Sequence, residues 1–587
     1  MNVAELLDKN FKKYPLKPAL GYKKNDRWKE LNWTNFRRLV YKTANALREA
    51  GIAENDKVAI YSDNSPEWIT FDLAALSLGA VTVPVYATNN LEQAEYIIND
   101  AGCKIILVGS QEQYDAAYEI LQRNAHLQNI IVSKKKVWVK KDRTEYLEDF
   151  ISKAGEGLEV VPKTNEDVAT LIYTSGTTGV PKGVMLTHGN FAQCFEAHFD
   201  YFKFKNFQNE HSLAFLPLTH VFERSWTLCC LYGGAKVSFL ENPKLIASAL
   251  TEVKPTMMCA VPRFYQKIYA GVNEMVASGS DTKKKIFSWA MKVGSEVAER
   301  KRLAQPVPFG LNLKNKIADR LVFAKIKAKM GGKLWFMPCG GASISPEVTQ
   351  FFDAMGVHIT VGYGLTETTA TLTAFPFTHY RHGSAGKPLG TTQLKIGEND
   401  EILAKGTGIM KGYYKKPEET AKVFTEDGWF KTGDAGKFDE EGNLYITDRI
   451  KDLMKTANGK YVAPQPIENL LSNNNYIQQV MVVAEDKPFV SALLVPNFEF
   501  LKDELAKLKI PFTDWKEVVQ MPAVKELYRR KIEEFQHSLS GFEKVKKFTL
   551  MPNEFEISTG EITPTLKIKR NIVNEKYRDL IDKMYQH

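Results

Sequence analysis

The chain has 587 residues, of which 44% are apolar and 25% charged, and carries a formal net charge of +9. That length is too great for one ordinary domain, and the composition is that of a globular protein with ample core. No run of about 18 apolar residues occurs, which excludes a spanning helix, and the modest basic excess suits anionic ligands without indicating nucleic acid.

The six cysteines form no CxxC pair, which argues against a zinc site or a disulfide framework and for a reducing compartment. MNVAELLDKNFKKYP at the N-terminus lacks the apolar core of a signal peptide, so a cytoplasmic protein is expected.

Taken in chain order, residues 57–134 alternate short apolar runs with amphipathic stretches. VAIYS (58–62) predicts a buried strand and PEWITFDLAALSLG (66–79) a helix ending at Gly79. AVTVPVY, CKIILVG and NIIVSK predict further strands, and NLEQAEYIINDAG a helix between the first two. This alternation predicts a parallel α/β sheet. VATLIYT (168–174) is another strand, feeding the loop TSGTTGVPKG, after which VMLTHGNFAQCFEAHF is read as resuming with helical character.

Residues 265–332 differ, being helical in pattern and basic. Residues 267–333 hold 15 Lys or Arg against 5 Asp or Glu, a net of +10. A solvated helical face and contact with an anionic surface both account for such a segment. Between 376 and 446, GSAGKPLG, GEND, GWFKTGD and DEEGN punctuate short strands and predict a small antiparallel β unit. Charges and a glycine in TDRIKDLMKTANGK (447–460) mark a boundary, followed by a mixed α+β lobe with a basic tail.

The loop after VATLIYT carries the first chemistry. Gly176 and Gly179 let backbone N–H groups converge on an anion. The hydroxyls of Thr174, Ser175, Thr177 and Thr178 add donors, and Lys182 adds a positive charge. This suits phosphate, but it is not a Walker loop, because G-x-x-x-x-G-K-[ST] is absent.

YTSGTTGVPKG resembles the signature of the acyl-adenylate-forming superfamily, which includes acyl-CoA synthetases, luciferases and peptide-synthetase adenylation domains. GYGLTET (362–368), GWFKTGD (428–434), DRIKD (448–452) and GEITPTLKIKR (560–570) follow in the family's order. The resemblance covers essentially the whole chain. It implies a large N-terminal α/β lobe with two flavodoxin-like parallel sheet units and a small antiparallel β subdomain, and a smaller mobile α+β C-terminal lobe. The implied boundaries are 1–447 for the AMP-binding domain (β subdomain about 376–447), 448–452 for a hinge pivoting at Lys451, and 453–587 for a lid.

By the same resemblance, Tyr363 lies against adenine, with Gly341, Ala342 and Ser343 of CGGASIS on its other side. Gly364 belongs to the same nucleotide-binding motif. Thr366 would bond the α-phosphate, Glu367 would help ligate Mg²⁺, and Asp434 and Arg449 would reach the ribose. The catalytic lysine is implied at Lys567. The family usually places glycine before it, and Leu566 stands there instead, leaving Lys569 as the alternative.

LPLTHVFERSW (216–226) resembles the acid-side motif, with His220 at its aromatic or histidine position and Trp226 expected to border an acyl tunnel. Amino-acid-adenylating relatives carry aspartate where Val221 stands, so an amino acid is disfavoured. HVFER and the C-terminal motif resemble long-chain fatty acyl-CoA synthetases. The implied reaction turns fatty acid, ATP and CoA into acyl-CoA, AMP and pyrophosphate, with Mg²⁺; the basic segment 267–333 adds the expectation of peripheral contact with an anionic membrane. Transfer to a carrier protein and a non-catalytic lipid- or nucleotide-binding relative are the alternatives.

Overall fold

A computed structural model describes residues 2–140, 142–174, 180–449, 454–537, 539–563 and 567–586. In the large lobe, the strands Lys57–Tyr61, Val81–Val85, Cys103–Val108, Asn129–Val132 and Thr144–Tyr146 lie parallel in the spatial order 2-1-3-4-5. That is the flavodoxin-like order. The cause is local: buried β-branched runs extend, and capped amphipathic helices return the chain right-handedly to the next strand. Ser65 caps the crossover helix Pro66–Ser77, and Asn90 opens Leu91–Ala101 with a capping box closed by Gln93.

Val168–Thr174 extends this sheet in parallel beside Val81–Val85, and Lys182–Thr187 pairs back on it antiparallel. The expected helix therefore begins only at His188, and VMLT is strand. A short apolar run fits strand or helix equally by periodicity, and here the hairpin partner decides.

The second unit repeats the order. His211–Ala214, Lys236–Phe239, a bridging segment at 257–260, Phe336–Cys339 and His358–Tyr363 lie parallel as 2-1-3-4-5. Pro18–Lys24 adds to its edge in parallel and Arg27–Asn32 beyond it antiparallel, so both large sheets are mixed at their margins. The basic segment is the crossover between the third and fourth strands of this unit. One helix would suffice there. Instead Pro262–Ala277, Asp281–Arg302, Phe309–Ala318, Asp319–Phe323 and Ala324–Lys329 fill it.

Gln393–Ile396, Glu401–Lys405, Phe430–Phe438 and Leu444–Arg449 form the antiparallel β unit. Two short strands inside the expected 376–447 range belong elsewhere. Lys387–Pro388 joins the second sheet and Gly412–Tyr413 the first. The C-terminal residues build the sheet Ile477–Val483, Ser491–Pro496, Lys547–Leu550, with separate apolar clusters such as Leu494, Tyr528 and Ile532, or Met481, Leu493 and Val573.

The two large units are joined by a buried ion pair. Arg224 lies on the crossover helix Val221–Tyr232 of the second unit, and Asp72 on Pro66–Ser77 of the first, both with fully buried side chains. Arg224 donates to both Asp72 oxygens, at 2.5 and 3.1 Å, and to the hydroxyls of Thr170 (2.7 Å) and Thr82 (2.8 Å). The rings of Trp68 and Phe191 lie 5.5 and 5.7 Å from the guanidinium. Every charge here is met by hydrogen bonds, as burial of a charge requires.

Arg224→Ala should therefore destabilise the large lobe by about 3–5 kcal/mol, because it strands a buried carboxylate. Replacing the pair together, as Asp72→Leu with Arg224→Met, should be less damaging than either single change, measured as the urea midpoint of unfolding.

Candidate active site

A cleft of about 1000 Å³ opens at the carboxyl ends of the second unit's strands and is roofed by the C-terminal lobe. This is where doubly wound sheets present loops able to hold ligands. His220, Gly340, Gly341 and Tyr363 reach it from the ends of His211–Ala214, Phe336–Cys339 and His358–Tyr363.

Gly341 has φ +89°, a conformation that glycine adopts without strain. A Cβ on Gly364 would stand 2.1 Å from the Ala370 carbonyl oxygen, so only glycine fits. With Ala342 and Ser343, both exposed, these residues line the cleft.

Tyr363, 8% exposed, donates from its hydroxyl to Asp434 Oδ2 at 2.7 Å, and Asp434 is 4% exposed. Asp434 and Arg449 are direct partners across Phe430–Phe438 and Leu444–Arg449. The register thus brings together two residues that stand in separate sequence motifs. Thr366 and Glu367 lie in the single turn Thr366–Thr368, and the Tyr413 hydroxyl donates to Glu367 Oε1 at 2.9 Å.

Thr174 ends its strand opposite Lys182, which begins the next, and both line the cleft. Lys182 is ion-paired with Glu419, and its ammonium stands 5.2 Å from the centre of the Tyr413 ring. Hydrogen bonds from Lys182 and Lys422 hold the Glu419 carboxyl down at about 2. Ser175, Gly176, Thr177, Thr178 and Gly179 lie outside the described residues, as do Lys451 and Leu566.

His220 caps the helix Val221–Tyr232, its Nδ1 accepting from the Phe222 amide at 3.2 Å. That assignment leaves Nε2 as the protonated nitrogen of the neutral ring. Burial, and then the positive charge of Lys567, push its pKa down to about 4, so the ring is neutral at pH 7. The next two charged residues of HVFER do not line the cleft. Glu223 is fully buried beneath it, accepting from the Leu216 amide at 3.1 Å and the Cys259 thiol at 3.4 Å, and burial raises its pKa to about 8. Arg224 is the structural cation already described.

Trp226 is held by an Nε1–H donated to Ser212 Oγ at 3.0 Å. It shares the wall with Cys229 of its own helix and with Cys194, His198 and Phe202, a one-sided row on the helix His188–Phe202. This part of the cleft is mostly apolar, while the part near Lys182, Glu367 and Asp434 is ionic.

The C-terminal lobe contributes Lys567. The Thr563 amide donates to the Lys567 carbonyl at 2.8 Å, and the Lys567 amide donates to Thr563 Oγ1 at 3.0 Å. Ile562 and Ile568 bridge antiparallel just outside this pair of bonds. Lys567 lines the cleft, whereas Lys569 is not among its lining residues. The lobe is tied to the cleft by side-chain amides: Asn469 donates to Ser343 Oγ at 2.5 Å and Asn473 to Ser345 Oγ at 3.2 Å.

Tyr413, Glu419, Asn469 and Asn473 were not singled out in the sequence. Each acts across a tertiary contact, and nothing in its local spacing signals a site.

Comparison with known proteins identifies the family. A family model described as AMP-binding enzyme matches residues 7–414, and one described as AMP-binding enzyme C-terminal domain matches residues 451–587. FadD15 of Mycobacterium tuberculosis, named a long-chain-fatty-acid–CoA ligase, is 31% identical over 566 residues, covering 95% of this chain and 92% of its own. Human ACSBG1, with the same designation, is 30% identical over 613 residues, covering 97% of this chain and 83% of its own. Among solved structures, the adenylation domain of a carboxylate reductase from Mycobacterium chelonae superposes with a TM-score of 0.78 at 20% identity, covering 100% of this chain and 91% of that one. The family model and these relatives cover most of the chain, and the chain belongs to the AMP-binding enzyme family.

Proposed function

We propose that this chain is a long-chain fatty acid–CoA ligase that joins a fatty acid, ATP and CoA into acyl-CoA, AMP and pyrophosphate through an acyl adenylate. The observation that carries the reading is one cleft holding both an ionic end, with Lys182, Glu367 and Asp434, and an apolar end beside His220 and Trp226. Lys567 reaches in between from the smaller lobe. The names of the relatives supply the long acyl chain.

In this reading adenine slides along Tyr363, with Gly341, Ala342 and Ser343 admitting its other face. The ribose hydroxyls donate to Asp434, whose carboxylate Tyr363 already orients. The phosphates draw Lys182 away from Glu419, with Thr174 and the glycine-rich loop at 175–179 supplying further donors. Thr366 bonds the α-phosphate.

A Mg²⁺ ion suits Glu367, a hard oxygen donor in the ionic end, since Mg²⁺ is commonly held by one or two carboxylates together with substrate phosphates. When bound it would neutralise charge on the triphosphate. A fatty carboxylate is a poor electrophile, and its oxygen attacks the α-phosphorus as pyrophosphate leaves. Lys567 stabilises the growing charge there.

Neutral His220 borders the carboxylate without adding a second cation beside Lys567. The thiol of CoA then attacks the acyl carbonyl, and AMP departs. The division at 448–452, with Lys451 as pivot, lets the smaller lobe withdraw Lys567 between the steps, and the neutral amide contacts at Asn469 and Asn473 suit such an exchange. A lipid substrate favours peripheral contact with a membrane. Among the described residues no helix is long and apolar enough to cross one.

The deciding experiment is pyrophosphate release across acids from acetate to oleate, with and without CoA. Release that rises with chain length, and acyl-CoA formed only with CoA, is expected. No release with any acid would overturn the reading.

Lys567→Ala should lower adenylate formation by about 10²–10³ while largely sparing thioester formation from supplied acyl adenylate, because an electrostatic stabiliser of one step is lost. Equal losses in both half-reactions would remove Lys567 from that role.

Asp434→Ala should weaken ATP binding by tenfold or more in calorimetry, since hydrogen bonds to a charged group contribute about 1.5–3 kcal/mol each. Tyr363→Phe removes only the orienting hydroxyl and should weaken it less. Unchanged ATP affinity in Asp434→Ala would exclude the ribose contact.

A further inference from the structure

The expanded crossover in the second sheet unit exposes an apolar row. Phe309 is 86% exposed, Leu313 51%, Ile317 46% and Leu321 49%. They recur every four residues along Phe309–Ala318 and the wide π-type turn Asp319–Phe323. On a regular helix such a row drifts by about 40° per step, and the wider turn counters the drift at Leu321.

The inner face of the same element is accounted for. Leu311, Ala318 and Phe323 are buried in the core of the second unit. The outer row therefore has no part in the fold, and exposing it costs solubility without contributing to stability.

The flanks of the row say what it meets. Residues 309–329 hold six Lys or Arg and one acidic residue, Asp319. Asp319 is engaged by Lys327 at 2.6 Å, whereas Lys314, Lys316, Arg320 and Lys325 are exposed. Apolar side chains bordered by cations along one helix face suit an anionic bilayer, where the helix lies in the interfacial plane and its lysines stay among the headgroups.

We propose that this outer face docks the protein on an anionic lipid membrane. The choice of occupant rests on the long-chain reading, because a fatty acid is drawn from such a surface. The inference goes beyond a diffuse basic patch. It assigns insertion to four named side chains and steering to the cations beside them, so salt weakens only part of the binding.

The test is co-sedimentation of the full chain with phosphatidylcholine vesicles, with and without phosphatidylglycerol. The wild type should prefer the anionic vesicles and retain a fraction of that binding at high salt. Leu313→Asp with Ile317→Asp should lower partitioning by at least about tenfold at any salt, as expected when buried apolar surface is lost. Lys314→Glu, Lys316→Glu and Arg320→Glu together should remove the salt-sensitive part.

All of these side chains are exposed, so the fold should survive, and thermal unfolding together with ATP affinity checks that it does. Variants that bind like the wild type would overturn the proposal, as would indifference of the wild type to anionic lipid. A wild type that self-associates in the ultracentrifuge, ignores vesicles, and becomes monomeric in the aspartate variant would also overturn it, making the row an interface between copies. Vesicle binding as expected with no pyrophosphate release would leave docking intact and sink the ligase reading. Release without vesicle binding would do the reverse.

Discussion

Arg224 takes its charge into the middle of the large lobe and finds there Asp72, Thr82 and Thr170. The first two sit on a helix and a strand of one sheet unit, Thr170 on a strand added to it, and Arg224 on the crossover of the other unit. A guanidinium buried without such partners would cost several kcal/mol, so the arrangement that supplies all of them is favoured over others. His220 lies one helical turn before Arg224 and caps the same helix. That cluster helps to set the position of the acid-side wall relative to the phosphate-side strands, Val168–Thr174 and Lys182–Thr187, together with Asn64, which bonds Leu216 and Leu218.

Around this frame, the cleft is assembled by contacts of quite different strength. Tyr363 with Asp434, and Tyr413 with Glu367, are close hydrogen bonds to carboxylates in shielded positions, and they pre-orient oxygens that the proposed reaction gives to ribose and metal. The roof is held by side-chain amides, among them Asn475, which donates to the Glu274 carboxylate at 2.9 Å. Asn469 and Asn473 each donate to a serine hydroxyl, and such neutral bonds contribute about 1 kcal/mol apiece, a strength compatible with repeated opening. Lys567 is hydrogen-bonded to Thr563 through both its amide and its carbonyl.

Glu419 adds a feature of the phosphate side. It is ion-paired with Lys182, and hydrogen bonds from Lys182 and Lys422 hold its carboxyl below the usual carboxylate range. Triphosphate binding in the proposed reaction is then an exchange of one anion for another at Lys182, which spares the lysine an unpaired charge inside the cleft.

By itself the sequence determined the family, the order of the lobes and most of the strands, because buried β-branched runs, capping residues and ordered motifs are local properties. The alternation from 57 to 134 suffices for a parallel sheet, and Asp434, Glu367 and Lys567 are legible from their motifs. Tertiary structure decided what local periodicity leaves open. VMLT became strand because Val168–Thr174 lies beside it, and Glu223 and Arg224 turned inward because partners wait there. Asp434 and Arg449 met through sheet register. Tyr413, Glu419 and Asn469 acquired their contacts from segments distant in the chain. A hydrogen bond to a partner far along the sequence leaves no periodic trace, and only the folded chain brings its two ends together.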